Sequence, residues 1–409
     1  EDRGRIYRIV PKGAKPEPFT PPESLDDMAK LLESPNGWKQ YLGQRLLMEK
    51  LLTVSNGGNS PKQIAPALKQ LAEKHPNATT RLHASWTLSG ISSPIRQDML
   101  RGMKDVDAHV RHDAVRLSGQ LIKDDVIFNR LTELASDDDA RVRFQVALTL
   151  GESKRPEATK ILASLAMRDG QDSWFVTGLL TSARTRSGAI LRELVSKSDY
   201  VANGNVAKAH LVKSLANVVG VRGDVDELSQ LLTTLGGDTA SSSGVSGAWW
   251  QAAAISGLGQ GLPRYRGELG RLSLPLLLNN PPAGLKDAAV GMRELLAQSQ
   301  KAALDRNRPA SDRAAAVELL AYRPFTEAAP AFEELLETDQ PVEVQTACIN
   351  ALSANGSEAA AKIVLERWQE LGPVVRGPAL TLLLRRTTST KLALDAMTAG
   401  TMRPAALSI

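Results

Sequence analysis

Five histidines (His75, His83, His109, His112 and His210) and one cysteine, Cys348, are the side chains with the widest chemical reach in this sequence. His109 and His112 lie three residues apart on an expected helix, a spacing that would aim both imidazoles at one metal. Two solvated residues at a helix start is the preferred reading. Cys348 stands among Ala347, Ile349 and Ala351 and reads as a buried small hydrophobe rather than a nucleophile. A single cysteine excludes an internal disulfide, a Cys-x-x-Cys metal or redox site, and haem attachment through two thioethers. No Gly-Lys dipeptide occurs, so a Walker A loop is absent, and there is no Gly-x-Ser-x-Gly elbow. Gly257-Leu-Gly-Gln-Gly261 departs from dinucleotide-loop spacing and reads as a helix end followed by a turn. With no nucleophile or acid–base constellation, no catalytic residue, metal ligand or cofactor is assigned, and the chain reads as non-enzymatic.

The elements around these residues follow from composition and repetition. The 409 residues exceed one ordinary domain unless the domain is a repeat array. Aromatics make up only 4% and apolar residues 42%, which suits Ala/Leu helices. The formal charge is +5, too small an excess at this length to name a nucleic-acid partner. No apolar run approaches about 18 residues, so no membrane span is expected. The chain starts at Glu1 without an apolar leader, which reads as a processed or excised chain.

One pattern recurs: a basic residue, a small apolar residue three positions on, then another apolar residue one turn later. It runs through Arg81-Leu-His-Ala84, Arg111-His-Asp-Ala114 and Arg143-Phe-Gln-Val146. It continues through Trp174–Thr177, Lys208–Leu211, Trp250–Ala253, Lys286–Ala289, Arg313–Ala316, Val344–Ala347 and Arg376–Ala379. The period is about 31 residues. One longer step holds residues 236–247, rich in Gly and Ser, which read as an inserted flexible loop. Each period splits into two amphipathic helices with Asp-rich turns before the patterned one; Asp139 starts such a helix and Pro156 opens its partner. A helix pair of this kind cannot bury its apolar face alone, so stacking is obligatory. The expected fold is all-α: a right-handed solenoid of about ten pairs over residues 23–400, after an extended segment and Pro-rich linker at 1–22 and before a tail at 401–409.

The Asp-rich turn and the Val110-Arg111 and Val142-Arg143 pairs resemble HEAT repeats, over roughly Leu25 to Arg386. Four segments carry a sharper resemblance. They are the alternating strand Asp2–Gly13, then Ser34–Glu49, Thr80–Gly90 and Leu392–Gly400. They resemble exported planctomycete and verrucomicrobial proteins that join a sorbosone/glucose-dehydrogenase-like propeller, a HEAT region and a cytochrome c domain. The propeller, apart from its last strand, and the Cys-x-x-Cys-His motif are absent from this sequence. The resemblance implies a periplasmic or secreted scaffold that spaces and docks those two domains.

Trp38 and Trp86 lie in these segments and are expected in the core. Trp174, Trp249 and Trp250 stand at the irregular centre. Adjacent residues point about 100° apart on a helix, so Trp249 and Trp250 cannot both face one core stripe. With Arg264, Tyr265 and Arg266 these tryptophans are the candidate protein-binding residues. Arg81, Arg111, Arg143, Arg313 and Arg376 read as a structural ladder with the Asp turns, the alternative being a concave binding surface. His83 reads as packed or hydrogen-bonded between repeats. Charge is uneven: Lys154–Lys213 holds ten basic and five acidic residues, Pro324–Glu370 two and nine. Two further functions stay open: a nucleic-acid-binding HEAT protein with a basic concave face, and a HEAT-like lyase or chaperone for a prosthetic group.

Overall fold

The computed structural model describes residues 12–13, 19–53, 61–91, 95–237, 248–267, 270 and 272–402. The extended segment expected at 1–22, the insertion at 236–247 and the tail at 401–409 fall largely outside them. The chain divides into two compact units, Glu1–Leu131 and Thr132–Ile409. Among the described residues both are α-helical with short 3-10 turns and no strand, an α-solenoid of helix pairs.

Ten helices head the pairs. Gly37–Thr53, Ala78–Ile91 and Ala108–Leu117 lie in the first unit. Ala140–Leu150, Ser173–Ser182, Val206–Arg222, Ala248–Gly261, Ala310–Leu320, Val342–Asn355 and Pro373–Leu384 lie in the second. In the second unit successive heads pack on one another, and so do the helices that follow them, from Glu157–Asp169 to Thr387–Thr398. The starts have a local cause. Asp107, Asp139, Asp172 and Asn205 cap their helices by accepting a hydrogen bond from a first-turn N–H. Two heads end on glycines in the left-handed region, Gly223 and Gly356, where a side chain would be strained.

Counting from these starts fixes the register. The fourth residues of the heads are Gln40, Arg81, Arg111, Arg143, Val176, Ala209, Gln251, Arg313, Gln345 and Arg376. Three positions on stand Gly43, Ala84, Ala114, Val146, Leu179, Val212, Ala254, Ala316, Cys348 and Ala379, all of them buried. The sequence pattern placed Trp174, Lys208, Trp250 and Val344 at the basic position. The helix starts move it one or two residues on, to Val176, Ala209, Gln251 and Gln345. Small apolar residues are so frequent here that pattern alone slips, whereas the cap does not. Lys286 opens a following helix, Lys286–Leu304, which packs on Val225–Gly236 and Phe325–Leu335. The head that the pattern missed is Gly37–Thr53.

One further expectation is corrected, and one holds. Gly257–Gly261 is the end of the helix Ala248–Gly261, and the 3-10 turn Leu262–Arg264 follows it. A Cβ added at Gly257 would overlap the Lys213 carbonyl oxygen, and one at Gly261 the Asn217 carbonyl oxygen. Glycine therefore sets how closely this helix approaches Val206–Arg222. Trp38 is not in the core: it is 59% exposed and meets Phe19 edge-on at 5.4 Å. The buried side of its helix passes through Gln40, Gly43, Leu47 and Leu51. Trp38, two residues before Gln40, is turned some 200° away from it.

The first unit has a core of Met28, Leu32, Leu47, Leu51, Ile64, Leu68 and Ala84. A core cluster of the second includes Val317, Leu320, Phe332, Val344, Leu352 and Leu383.

Candidate functional site

At six heads the fourth residue does the same thing: it ties down the turn that enters its own helix. Arg81 donates to the carbonyls of His75 and Pro76, Arg111 to those of Asp105 and Val106, and Arg143 to those of Asp137 and Asp138. Gln40 does so through the Leu32 carbonyl, Gln251 through that of Leu235, and Gln345 through those of Leu336 and Glu337. Two arginines also reach the turn of the following repeat. Arg81 forks onto Asp105 at 2.8 and 2.6 Å, and Arg143 onto Asp169 at 2.7 and 2.5 Å. Arg313 makes the same link in neutral form, donating to the Ala303 carbonyl and to Gln340 at 2.7 Å. Arg376 departs from the series. Its guanidinium lies over the Trp368 ring at 5.9 Å, and its Nε is buried without a hydrogen-bond partner. A planar fork can satisfy two turns at once, which explains arginine at these sites. Arg81, Arg143 and Arg313 are all buried, so their donors serve the framework.

The histidines are separately engaged. His109 Nδ1 lies 3.3 Å from the Asp107 carboxylate, and His112 Nδ1 lies 2.8 Å from that of Asp113. Asp113 also accepts from the Trp86 indole at 2.9 Å, and the Arg116 guanidinium lies 5.2 Å from the centre of that ring. Burial pushes the Asp113 carboxyl up, but the hydrogen bonds from His112 and Trp86 prevail and hold it below the usual range. His83 pairs with Gln44 at 2.6 Å, and burial pushes its imidazole below the ordinary value. Cys348 is fully buried with its Sγ 3.6 Å from the Phe332 carbonyl, and burial raises its thiol. Among the described residues no group of three or more His, Cys, Asp or Glu could hold a metal ion. No described helix is long and apolar enough to cross a membrane.

The candidate recognition residues separate. Trp250 is 5% exposed. Trp249 is spent inside the chain: its indole donates to the Val201 carbonyl at 2.8 Å, its ring lies 6.0 Å from Tyr200, and Gly204 sits beneath it. Arg264 and Arg266 are exposed, and Arg266 donates to the Pro263 and Tyr265 carbonyls. The Tyr265 ring covers Gly223 and Gly267. Trp174 stands apart. It is 80% exposed on the first turn of its helix, where the preceding repeat carries the solvated Arg141. Beside it opens a groove of about 550 Å³, lined by Gly170, Gln171, Ser173, Asn205, Val206 and His210. Val206, 88% exposed, is the exposed large apolar residue of that lining. Sequence reasoning missed Val206 and His210. The available signal was an unpartnered valine directly after the capping Asn205.

Residues 97–184 and 300–383 match the model of the family described as HEAT repeats, so these two stretches carry HEAT repeats. Among solved structures, Kap121p bound to Pho4p is similar at 13% identity and a TM-score of 0.40, covering 91% of this chain and 45% of that one. Kap121p bound to Ste12p is similar at 12% identity and a TM-score of 0.44, covering 92% and 47%. The chain thus spans about half the length of the solved chains it matches. No curated protein matches it.

Proposed function

We propose that this chain is a non-catalytic scaffold that binds protein or neighbouring domains. One observation carries the reading. Two large apolar side chains, Trp174 and Val206, stand exposed on the first turns of successive heads, and Val206 lines an open groove. Exposed apolar surface framed by polar residues is characteristic of protein contact. The buried, internally bonded Arg81, Arg143 and Arg313 support protein over nucleic acid, because their donors are not free for phosphates.

The resemblance at residues 2–13, 34–49, 80–90 and 392–400 supports a narrower reading. The partners are then a dehydrogenase-like propeller before this region and a cytochrome c domain after it, in the periplasm or outside the cell. Redox chemistry would belong to those domains, and this region would set their spacing. The gene reading frame on both sides of residues 1–409 tests this. Propeller repeats upstream and a Cys-x-x-Cys-His downstream are expected, and stop codons at both flanks overturn it. Cross-linking of the full-length protein should then join both domains to this region.

A further inference from the structure

We propose that the exit edge of the second unit, where its seven heads end, binds an acidic segment of a partner protein. The proposal rests on the scaffold reading and names a surface and the chemistry of its occupant.

The edge grows from a local preference repeated. Cations suit the carbonyl end of a helix, so each head favours them just past its last turn. The turns that leave these heads are residues 151–156, 183–186, 223–224, 262–267, 321–324, 356–357 and 385–386. Together they hold nine basic residues, eight of them arginine, and two acids, Glu152 and Asp224. Six of the nine are exposed: Lys154, Arg184, Arg264, Arg266, Arg385 and Arg386. Asp224 is committed as a helix cap through the Glu227 N–H.

Contacts set these turns side by side. Arg186 donates to the Ser153 and Arg155 carbonyls of the turn before its own. Glu227 accepts from the Gly188 N–H and from Arg222, the last residue of its head. A Cβ on Gly223 would strike the Tyr265 ring, one on Gly259 the Tyr322 ring, and one on Gly356 the Arg386 guanidinium.

The opposite edge carries the opposite sign. The described turns that enter these heads are residues 135–139, 170–172, 203–205, 305–309, 336–341 and 367–372. They hold eight acidic and three basic residues. The unit is therefore polarised across its heads, which the small net charge of +5 conceals. An acidic partner is steered to the exit edge and away from the entry edge.

The kind of cation decides between anionic partners. The chain has 31 arginines and 19 lysines, whereas the exit turns hold eight and one. Tyr265 and Tyr322 stand half-buried in the same turns, and Leu384, 49% exposed, borders Arg385. Arginine and tyrosine are enriched, and lysine depleted, where proteins meet. A guanidinium also forks a carboxylate with two parallel hydrogen bonds. Nucleic acid and anionic lipid attract lysine as readily as arginine, because both act chiefly through charge.

The test offers the full chain three probes: a labelled dodecapeptide repeating Glu-Glu-Leu, a labelled oligothymidylate of equal charge, and vesicles of phosphatidylserine and phosphatidylcholine. Anisotropy titration and vesicle cosedimentation should show the peptide binding most tightly, and more weakly at high salt. Arg264→Glu with Arg266→Glu should weaken the peptide about tenfold, and so should Arg385→Glu with Arg386→Glu. Lysine at the same pairs should restore only part of the affinity, because an ammonium cannot fork a carboxylate. Lys286→Glu with Lys301→Glu, exposed on a following helix, changes net charge equally and should have little effect. An unchanged melting temperature shows that each variant is folded, and glutamine pairs replace any reversal that lowers it. The proposal is overturned if the peptide does not bind, if the oligothymidylate or the vesicles bind more tightly, or if the lysine reversals weaken the peptide as much as the arginine reversals. If the arginine variants still cross-link to the flanking domains of the full-length protein, the scaffold reading survives and only this edge fails.

Discussion

Arg143 holds Asp169 with two parallel hydrogen bonds while its remaining terminal nitrogen grips the carbonyls of Asp137 and Asp138. One guanidinium therefore closes the turn in front of its own helix and the turn of the next repeat. Both charges are largely withdrawn from water, with side chains 8% and 13% exposed. Such a pair is worth little against a well-packed apolar substitute, but breaking it strands the surviving charge.

The expected cost of Arg143→Met is about 3–5 kcal/mol, seen as a lower urea midpoint. Arg143→Lys should recover only part of it, because an ammonium cannot form the fork. Arg376→Met should be near neutral, since its Nε already lacks a partner and the side chain mainly packs on Trp368. Equal losses for Arg143→Met and Arg376→Met would remove the ladder's role.

Gly257→Ala should lower stability. Alanine gains about 1 kcal/mol of helix propensity. The added methyl runs into the Lys213 carbonyl, however, and overpacking costs about 1–3 kcal/mol or more. A thermal melt of the variant decides this, and a stabilised Gly257→Ala would contradict the close helix approach.

Acidification should weaken the protein through His83. Burial places its folded-state value below the ordinary one near 6.5, so the unfolded chain takes up the proton first. Its contribution is fully present above about 6.5 and is lost as pH falls through the lower folded value. Between neutral pH and about 5 the urea midpoint should decline, and His83→Gln should flatten that decline. A parallel slope in the variant would exclude His83 as the source.

The thiol of Cys348 should be silent in the native state. It is fully buried, and burial raises its value further from neutrality. A chromogenic disulfide reagent should find no reactive thiol in buffer and one per chain in denaturant. Fast native labelling would place Cys348 on an accessible surface instead.

Much of the framework was legible because it is built from local rules. Asp107 and Asp139 cap helices in sequence as they do in space, and Ala84 and Val146 mark the buried stripe. The ladder was half visible. A search for positive charge finds Arg81 and Arg143, yet Gln40, Gln251 and Gln345 reach the same kind of carbonyl with an amide N–H. The site was less legible for a geometric reason. A two-residue slip turns a helical position by some 200°, enough to carry Trp174 from an expected repeat position to open solvent. His210 reaches the groove only through the stacking of two heads, which no single helix encodes.

The ladder also has an end. Arg143 grips Asp169, but the corresponding residue of the next head is Val176, which has nothing to donate. Under mechanical load, tension carried along successive turns by side-chain links would lose that carrier at Asp169. From there the aliphatic interior must bear it, and apolar contacts are non-directional where a guanidinium fork is not.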